Sequence, residues 1–485
     1  MKTDFSQEWK DWITTNINAG QDPDGIFKIL LDEGYAYAAI VKEMNHQPSR
    51  PSSEIVNPLT GRQTLTQVKK TVHPKNNGKG IKPSQIFIPN ALSIETNKVD
   101  MRTVDNFLNA DECERLIQLI KTKLRPSEIS NFEVNKDFRT SRTCDLGQIG
   151  DDFIREIDDR ICKLIGIHPD YAEVTQGQYY DVGQEFKAHT DYFEKSEFEL
   201  HCSELGQRTY TVMIYLNDVE EGGETHFTKL NQEFKPVTGT AVIWNSLNPD
   251  GSPNKNTMHH AKPILKGHKA IITKWFRTNP SKGSNANMFS KSINEIVPNY
   301  TRDGIFKSQM PKDIFDKITK FYQENKSHIQ KEHVEGGFIY SANTSKGTPD
   351  YSSSLIDLSP NLRQEVHDTL KPLMESWCEQ ELESTYVYGI REYHRDAILR
   401  PHRDRIATHI ISAILNVDQH VDSDWPLIIE DNYYRSHTIF LKPGEMIFYE
   451  GARLQHGRPL AFDGDSFANI FCHFKPVDYI EPRSA

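Results

Sequence analysis

The sequence predicts an α+β chain that is mainly β. Two related β-rich domains carry flanking helices, and a small N-terminal helical segment precedes them. Two observations predict this. Beyond about Asp170 the chain runs through EVTQGQYY, RTYTVMIYL, GTAVIWN and KAIITKWF, short stretches rich in β-branched and aromatic residues and separated by Gly or Pro. After Pro298 the same order recurs: helical text, then YVYGIREY, HIISAIL, GEMIFYE and FANIFCHF. The 485 residues accommodate about three units of roughly 150 residues each, and a 36% hydrophobic content suffices for real cores.

In residues 1–45, Trp9, Trp12 and Ile13, then Ile26, Phe27, Ile29 and Leu30, recur at helical intervals, with Asp22 or Asp24 as a cap and Gly34 as a stop. Residues 46–85 turn to Pro, Ser, Asn, Gly and Lys (HQPSRPSSEIVNP, VHPKNNGKGIKPS), which bury little apolar surface and read as a solvated linker. Residues 86–282 form the first β-rich domain; in VDNFLNADECERLIQLIKTKL, Asn109 followed by Glu112 has capping-box spacing ahead of an amphipathic helix. Residues 283–485 form the second, opening with the helical stretches PKDIFDKITKFYQEN and SPNLRQEVHDTLKPLMESWCEQEL.

A net charge of −11 argues against broad affinity for nucleic acid or anionic membranes, because phosphate binding is driven largely by Lys and Arg. Six cysteines lie far apart with no C-x-x-C pair, the pattern of unpaired thiols in a reducing compartment. MKTDFSQEWKDW lacks an apolar signal-peptide core and no run approaches the length of a membrane span, so a cytoplasmic protein is expected.

His-x-Asp occurs five times, at His168/Asp170, His189/Asp191, His394/Asp396, His402/Asp404 and His420/Asp422, where about one is expected by chance. A metal site built on such a pair needs a third ligand from a distant strand, and His, Asp and a second His on one face of an octahedron leave three adjacent positions open. After His189 and Asp191, the segment NTMHHAKPILKGHKAIITKWF supplies His259 and His260; on a strand only one of two neighbours points inward.

The run Tyr180-x-x-Gly183-Gln184-x-Phe186-x-x-His189-x-Asp191, followed by Arg208-x-x-Thr211, Gly239, and His259 with Pro263, Gly267 and Lys269 behind it, resembles the prolyl 4-hydroxylase family of iron(II)- and 2-oxoglutarate-dependent dioxygenases. The likeness covers roughly Val104 to Thr278, including VDNFLNADECERLI and the RTS at Arg139 to Ser141. It implies a double-stranded β-helix, or jelly roll, and His189, Asp191 and His259 as catalytic metal ligands, with His260 as the fallback. His259 is preferred because the family's second histidine stands four residues before a proline and ten before the anchoring lysine. By the same resemblance Lys269 anchors the far carboxylate of 2-oxoglutarate, Thr211 and Tyr180 support it, Trp275 walls the pocket, and Arg139 and Phe186 lie near a bound peptide. Tyr192 to Gln207 would then form a covering loop. Iron(II), 2-oxoglutarate, O2 and ascorbate as reductant are implied. Singly, Lys269 also reads as a snorkelling strand lysine, Thr211 as an ordinary strand residue, and Tyr180 and Trp275 as core aromatics. Their joint occurrence with the triad favours the functional reading.

The C-terminal half repeats the pattern. Tyr393 precedes His402 by nine residues, as Tyr180 precedes His189; Gly444 matches Gly239, and LQHGRP supplies His456. A second metal site at His402, Asp404 and His456 is therefore on offer; a metal-bound but noncatalytic, or structural, domain is preferred to a second working oxygenase, with inherited histidines that hold no metal as the remaining reading. Aligning Gly267 with Gly464 places Ser466 where Lys269 stands, and matching Leu216-Asn217 to Leu415-Asn416 places Ile410 where Thr211 stands. Both anchors are lost in that alignment, leaving Arg458, His473 or Arg391 as substitute cations. His168/Asp170 and His420/Asp422, which lack matching partners, are expected to be surface turns.

The expected function is hydroxylation of a peptidyl proline, giving succinate and CO2, by a chain that binds a proline-containing protein or peptide, its C-terminal domain helping to bind that substrate or to form a homodimer, with no nucleic acid or membrane partner. The alternatives are hydroxylation of a free amino acid or other small molecule, and a noncatalytic binding protein stabilised by metal. A purely structural metal site has no use for a buried cation such as Lys269 beside it.

Overall fold

The β-branched runs form strands whose central members are buried on both faces, in a computed structural model that describes residues 2–18, 20–48, 55, 58, 86–127, 138–195, 197–281, 287–289, 297–332, 334, 337–343 and 352–481. Most of the linker expected over 46–85 lies outside the described residues. The chain divides into two compact units, Pro74–Ile296 and a second made of Met1–His73 with Val297–Ala485.

In the Pro74–Ile296 unit an eight-stranded sheet runs in the order Leu92–Ser93, Met101–Val104, Ala241–Asn245, Arg208–Tyr215, Lys269–Arg277, Gln176–Tyr180, Arg142–Asp145, Arg125–Pro126. A four-stranded sheet, Gln232–Phe234, Thr225–Phe227, His259–Ala261, Phe186–His189, faces it. Between them lie Met213, Tyr215, Val242, Trp244 and Ile271 from the large sheet and Phe227, Phe234 and Ala261 from the small one. The period of two along each strand sends alternate residues into this layer. The other face of the large sheet packs on helices, which is why Lys269–Arg277 is buried along its whole length.

Two helices do this packing. Ala110–Thr122 starts with the capping box: the Glu112 N–H donates to Asn109 Oδ1 and the Asn109 N–H to Glu112 Oε2, both at 2.9 Å. Its Cys113, Leu116, Ile117 and Ile120 form the buried stripe. Ile120 crosses the sheet at Gly177, where a Cβ would lie 2.4 Å from its Cγ1, so the close approach requires glycine. Asp152–Ile165 is capped by Asp151 and ended by Gly166 at φ +72. Its buried Arg160 pairs with Glu112 and donates to Phe107 O at 2.8 Å, tying the body of this helix to the start of Ala110–Thr122.

The second unit has a large sheet in the order Ile305–Gln309, Glu445–Tyr449, Ile411–Val421, Gly464–Pro476, Ile390–Tyr393, Ser353–Ile356, Gln330–Glu332, with Leu382–Val387 also paired to Gly464–Pro476. Its small sheet runs Ile339–Ser341, Ala397–His402, His456–Arg458, Leu427–Glu430, Ser436–Ile439. Helices Lys312–Asn325 and Pro360–Cys378 cover the large sheet. The N-terminal helices Gln7–Asn18, Pro23–Asp32 and Tyr37–Met44 belong to this same unit: buried Lys28 pairs with Asp32 at 3.0 Å and with Glu379 at 3.8 Å, and Tyr37 packs on the C-terminal core. Asp22 caps the second of these helices. Among the described residues no helix is long and apolar enough to cross a membrane.

Candidate metal centre

His189 ends its strand, Asp191 follows two residues later, and His259 opens the neighbouring strand directly opposite His189. The antiparallel pairing thus sets both imidazoles side by side, and the ligand atoms of the three residues all lie within 4.8 Å of one another. Nδ1 of His189 donates to the Lys187 carbonyl at 2.7 Å, and Nδ1 of His259 to the Thr257 carbonyl at 2.9 Å. A carbonyl only accepts, so each Nδ1 carries the proton and each Nε2 keeps its lone pair for a metal. Burial, with His259 beside it, holds the His189 pKa well below 6.5, keeping that ring neutral. Asp191 Oδ2 accepts from the buried Thr211 hydroxyl at 2.7 Å. Phe186 stacks on His189 at 3.4 Å, and Trp244 and Phe227 pack on His259 at 5.1 and 5.2 Å. Two imidazole Nε2 atoms and one carboxylate within 4.8 Å of one another fit a divalent iron that keeps open positions.

His260 faces the other way, with Nε2 2.8 Å from Glu185 Oε2. The structure therefore brings together His189, Asp191 and His259 and leaves His260 outside the cluster.

Lys269 opens its strand opposite Tyr180 and is fully buried. Its ammonium donates to Gly223 O at 2.7 Å and lies 5.3 and 5.6 Å from the Tyr180 and Tyr215 ring centroids. Burial pushes its pKa down from 10.5 to about 7, with the Glu224 charge opposing. An ammonium has three hydrogens to give and this one uses a single carbonyl, so the pocket suits an incoming carboxylate.

The other expected residues occupy the same core with different partners. A hydroxyl has one hydrogen to donate; Tyr180 gives its own to Gln178 Oε1 at 2.8 Å, and Thr211 gives its own to Asp191. Thr211 thus orients a metal ligand, a role that motif spacing did not reveal. Trp275 pairs with Thr211 across the sheet and has a buried Nε1 without a partner. Arg208 lies 4.2 Å over its ring and is held by Glu173 through two bonds of 2.7 Å. Arg139 forms a bridge with Phe186, lies 4.8 Å from its ring, and donates to Gln176 Oε1 at 3.2 Å. In the expected covering loop Tyr192 and Phe193 are buried, and the Gln207 side chain bonds both the N–H and the carbonyl of Phe193 at 2.8 Å, fixing the loop's base.

The second triad is also assembled: ligand atoms of His402, Asp404 and His456 lie within 4.8 Å of one another, and His402 pairs with His456 across strands. Two alignments need correction. Tyr393, the counterpart of Tyr180, pairs with Phe467, so Phe467 and not Ser466 stands where Lys269 does. Ser412, not Ile410, takes the place of Thr211, since its hydroxyl lies 3.4 Å from Asp404 Oδ2. Matching glycines and Leu-Asn pairs ignored the register shifts that interrupt the Ile411–Val421 and Gly464–Pro476 pairing. Of the substitute cations, Arg391 is held by Glu332 through two bonds of 2.7 Å, and His473 bonds Ser412 at 2.8 Å. His168 and His420 are at the surface, beside Asp170 and Asp418.

Comparison with known proteins adds a family to this geometry. Residues 175–277 match the family model described as the 2OG-Fe(II) oxygenase superfamily. A probable prolyl 4-hydroxylase 8 of Arabidopsis thaliana is 34% identical over 194 residues, 35% of this chain and 66% of that protein. A probable prolyl 4-hydroxylase 3 of the same plant is 33% identical over 200 residues, 36% of this chain and 69% of that protein. The chain spans about two thirds of the length of these curated relatives. The solved structure of a viral collagen prolyl hydroxylase from Paramecium Bursaria Chlorella virus-1, in complex with 2OG, is 26% identical, covering 36% of this chain and 95% of that one with a TM-score of 0.29.

Proposed function

We propose, from the premise that this chain belongs to the prolyl 4-hydroxylase family of iron(II)- and 2-oxoglutarate-dependent dioxygenases, that its Pro74–Ile296 unit hydroxylates a proline within a protein or peptide, releasing succinate and CO2. Each of the two units is read as a double-stranded β-helix, the second a divergent copy of the first, because their strand orders correspond. The observation that carries the functional reading is the pairing of a His189, Asp191 and His259 donor set with a buried, anion-seeking Lys269 in one core.

His189, Asp191 and His259 would hold iron(II). Iron(II) with 2-oxoglutarate supplies the oxidising power that lets O2 be used on an unactivated C–H bond. Lys269 receives the far carboxylate of 2-oxoglutarate, fixing its distance from the triad. Thr211 holds Asp191 so that its other oxygen faces the centre, and the Lys187 and Thr257 carbonyls fix both imidazole tautomers. Trp244, Phe227 and Tyr215 exclude water from the inner wall. Phe186 and Arg139, stacked at the exposed side of His189, offer an apolar face and a cation to a peptide. Ascorbate as reductant and a cytoplasmic location belong to this reading; six buried cysteines with free thiols fit a reducing compartment.

The test is succinate release by the purified full chain with iron(II), 2-oxoglutarate and a proline-rich peptide. The expected result is peptide-stimulated turnover and gain of one oxygen on proline, both abolished in His189→Ala. Turnover that no proline peptide stimulates, with no oxygen found on proline, would overturn the substrate assignment.

A further inference from the structure

The second triad is held as firmly as the first. Nδ1 of His402 donates to Arg400 O at 2.7 Å and Nδ1 of His456 to Leu454 O at 2.9 Å, so both Nε2 atoms remain free, each 3.7 Å from Asp404 Oδ1. The other oxygen, Oδ2, accepts from the Tyr449 hydroxyl at 3.1 Å. A Cβ at Gly451 would lie 2.2 Å from that oxygen, so the position that lets Asp404 approach must be glycine. Three donors thus stay directed at one point in a unit whose counterpart of Lys269 has become Phe467.

The missing cation returns from another strand. Arg458 is 1% exposed, and its guanidinium lies 4.8 Å from the Trp425 ring and 4.6 Å from the Phe467 ring. Nη1 donates to the Trp425 carbonyl, whereas Nη2 is buried with no hydrogen-bond partner. A buried guanidinium edge without an acceptor is strongly unfavourable unless an anion meets it. Arg458 follows His456 by two residues on one strand, so both side chains leave the same face about 6–7 Å apart. With both side chains on one face and the guanidinium packed on Phe467, the counterpart of Lys269, the arrangement suits a short diacid with one end at the triad and the other at the guanidinium.

We propose that the C-terminal unit holds a second binding site, for a divalent transition metal at His402, Asp404 and His456 together with a small 2-oxo dicarboxylate whose far carboxylate meets Arg458. The residues of the first site take no part in it, so the two readings stand or fall separately.

The experiment counts iron(II) bound per full chain by anaerobic equilibrium dialysis and follows the visible absorption produced when 2-oxoglutarate is added. Native chain is expected to bind two irons, a His189→Ala/Asp191→Ala chain one, and a His402→Ala/Asp404→Ala chain one, with circular dichroism melts reporting folding. In the His189→Ala/Asp191→Ala background, Arg458→Met should keep the remaining iron and weaken 2-oxoglutarate about 10- to 100-fold. Should that variant not fold, Arg458→Gln, which removes the charge but keeps an amide N–H for the Trp425 carbonyl, carries the same readout. A folded His189→Ala/Asp191→Ala chain that binds no iron overturns the second metal site, and unchanged 2-oxoglutarate affinity in the Arg458 variants overturns the carboxylate anchor. Loss of iron only from the C-terminal variants would instead sink the first site and leave this one standing.

Discussion

Lys269→Met is expected to move the stability of the ligand-free protein and its affinity for 2-oxoglutarate in opposite directions. Burial lowers the ammonium's pKa from 10.5 to about 7, and each pKa unit is about 1.4 kcal/mol. Keeping this group in the core therefore costs the folded chain on the order of 5 kcal/mol at neutral pH and below. The sign follows from proton binding: the unfolded chain holds the proton more tightly, so the cost is fully present below about pH 7 and fades as pH rises towards 10.5. Methionine keeps the apolar stem and removes the charge, but strands the Gly223 carbonyl, a loss of about 1–3 kcal/mol. The ligand-free variant should thus gain about 2–4 kcal/mol near neutrality, each unit raising Tm by about 2–4 °C.

For 2-oxoglutarate the same change removes one partner of a buried ion pair, worth about 3–5 kcal/mol, or roughly 10²- to 4 × 10³-fold in KM. Native enzyme should show KM for 2-oxoglutarate rising about tenfold per pH unit above about 7, as the free amine loses its proton, whereas the variant's KM should be flat. Scanning fluorimetry without ligand and succinate release against 2-oxoglutarate concentration, both over a pH series, measure the two effects. A variant with KM unchanged, or one that keeps the native pH slope, refutes the anchor.

Thr211→Val keeps the shape of the side chain and deletes the 2.7 Å bond to Asp191, so iron affinity measured by competition with a chelator should fall about 10- to 100-fold while the fold persists. His260→Ala should leave turnover within about threefold, because its ring is occupied with Glu185, whereas His259→Ala should lose about 10-fold or more in iron affinity. Gly177→Ala drives a methyl to 2.4 Å from Ile120 Cγ1 and should lower stability by about 1–3 kcal/mol in urea unfolding.

Local signals in the sequence carried much of this. Asn109 and Glu112 state their capping box in four letters, and the β-branched runs around Tyr210, Ile243 and Ile272 fall on the observed central strands. The triad was legible because two ligands sit in one His-x-Asp and the third is placed by family spacing. What escaped was information that exists only across strands. The short strands Thr225–Phe227 and Gln232–Phe234 are too brief to show periodicity. The Thr211 bond to Asp191 joins a strand of the large sheet to the segment that follows the Phe186–His189 strand, and the choice of Phe467 over Ser466 turns on register shifts that no glycine or asparagine marks.

Those cross-strand relations also decide how each unit can set the distance from metal to carboxylate anchor. In the Pro74–Ile296 unit the two histidines lie on the small sheet and Lys269 on the large one. Their separation depends on the layer packed between the sheets, and Thr211, on the large sheet, pins the Asp191 carboxylate against it. Any substitution that thickens that layer, at Tyr215 or Ile271, must change the metal-to-anchor distance and so disturb 2-oxoglutarate before it disturbs iron. In the C-terminal unit His456 and Arg458 share one three-residue strand. Backbone rise puts their Cα atoms about 6–7 Å apart, while the guanidinium itself is placed by the Trp425 carbonyl and by the Trp425 and Phe467 rings. Core substitutions at Trp425 or Phe467 should therefore displace the guanidinium while leaving the His402, Asp404 and His456 donor set in place, so that in this unit too repacking disturbs the carboxylate anchor before it disturbs the metal.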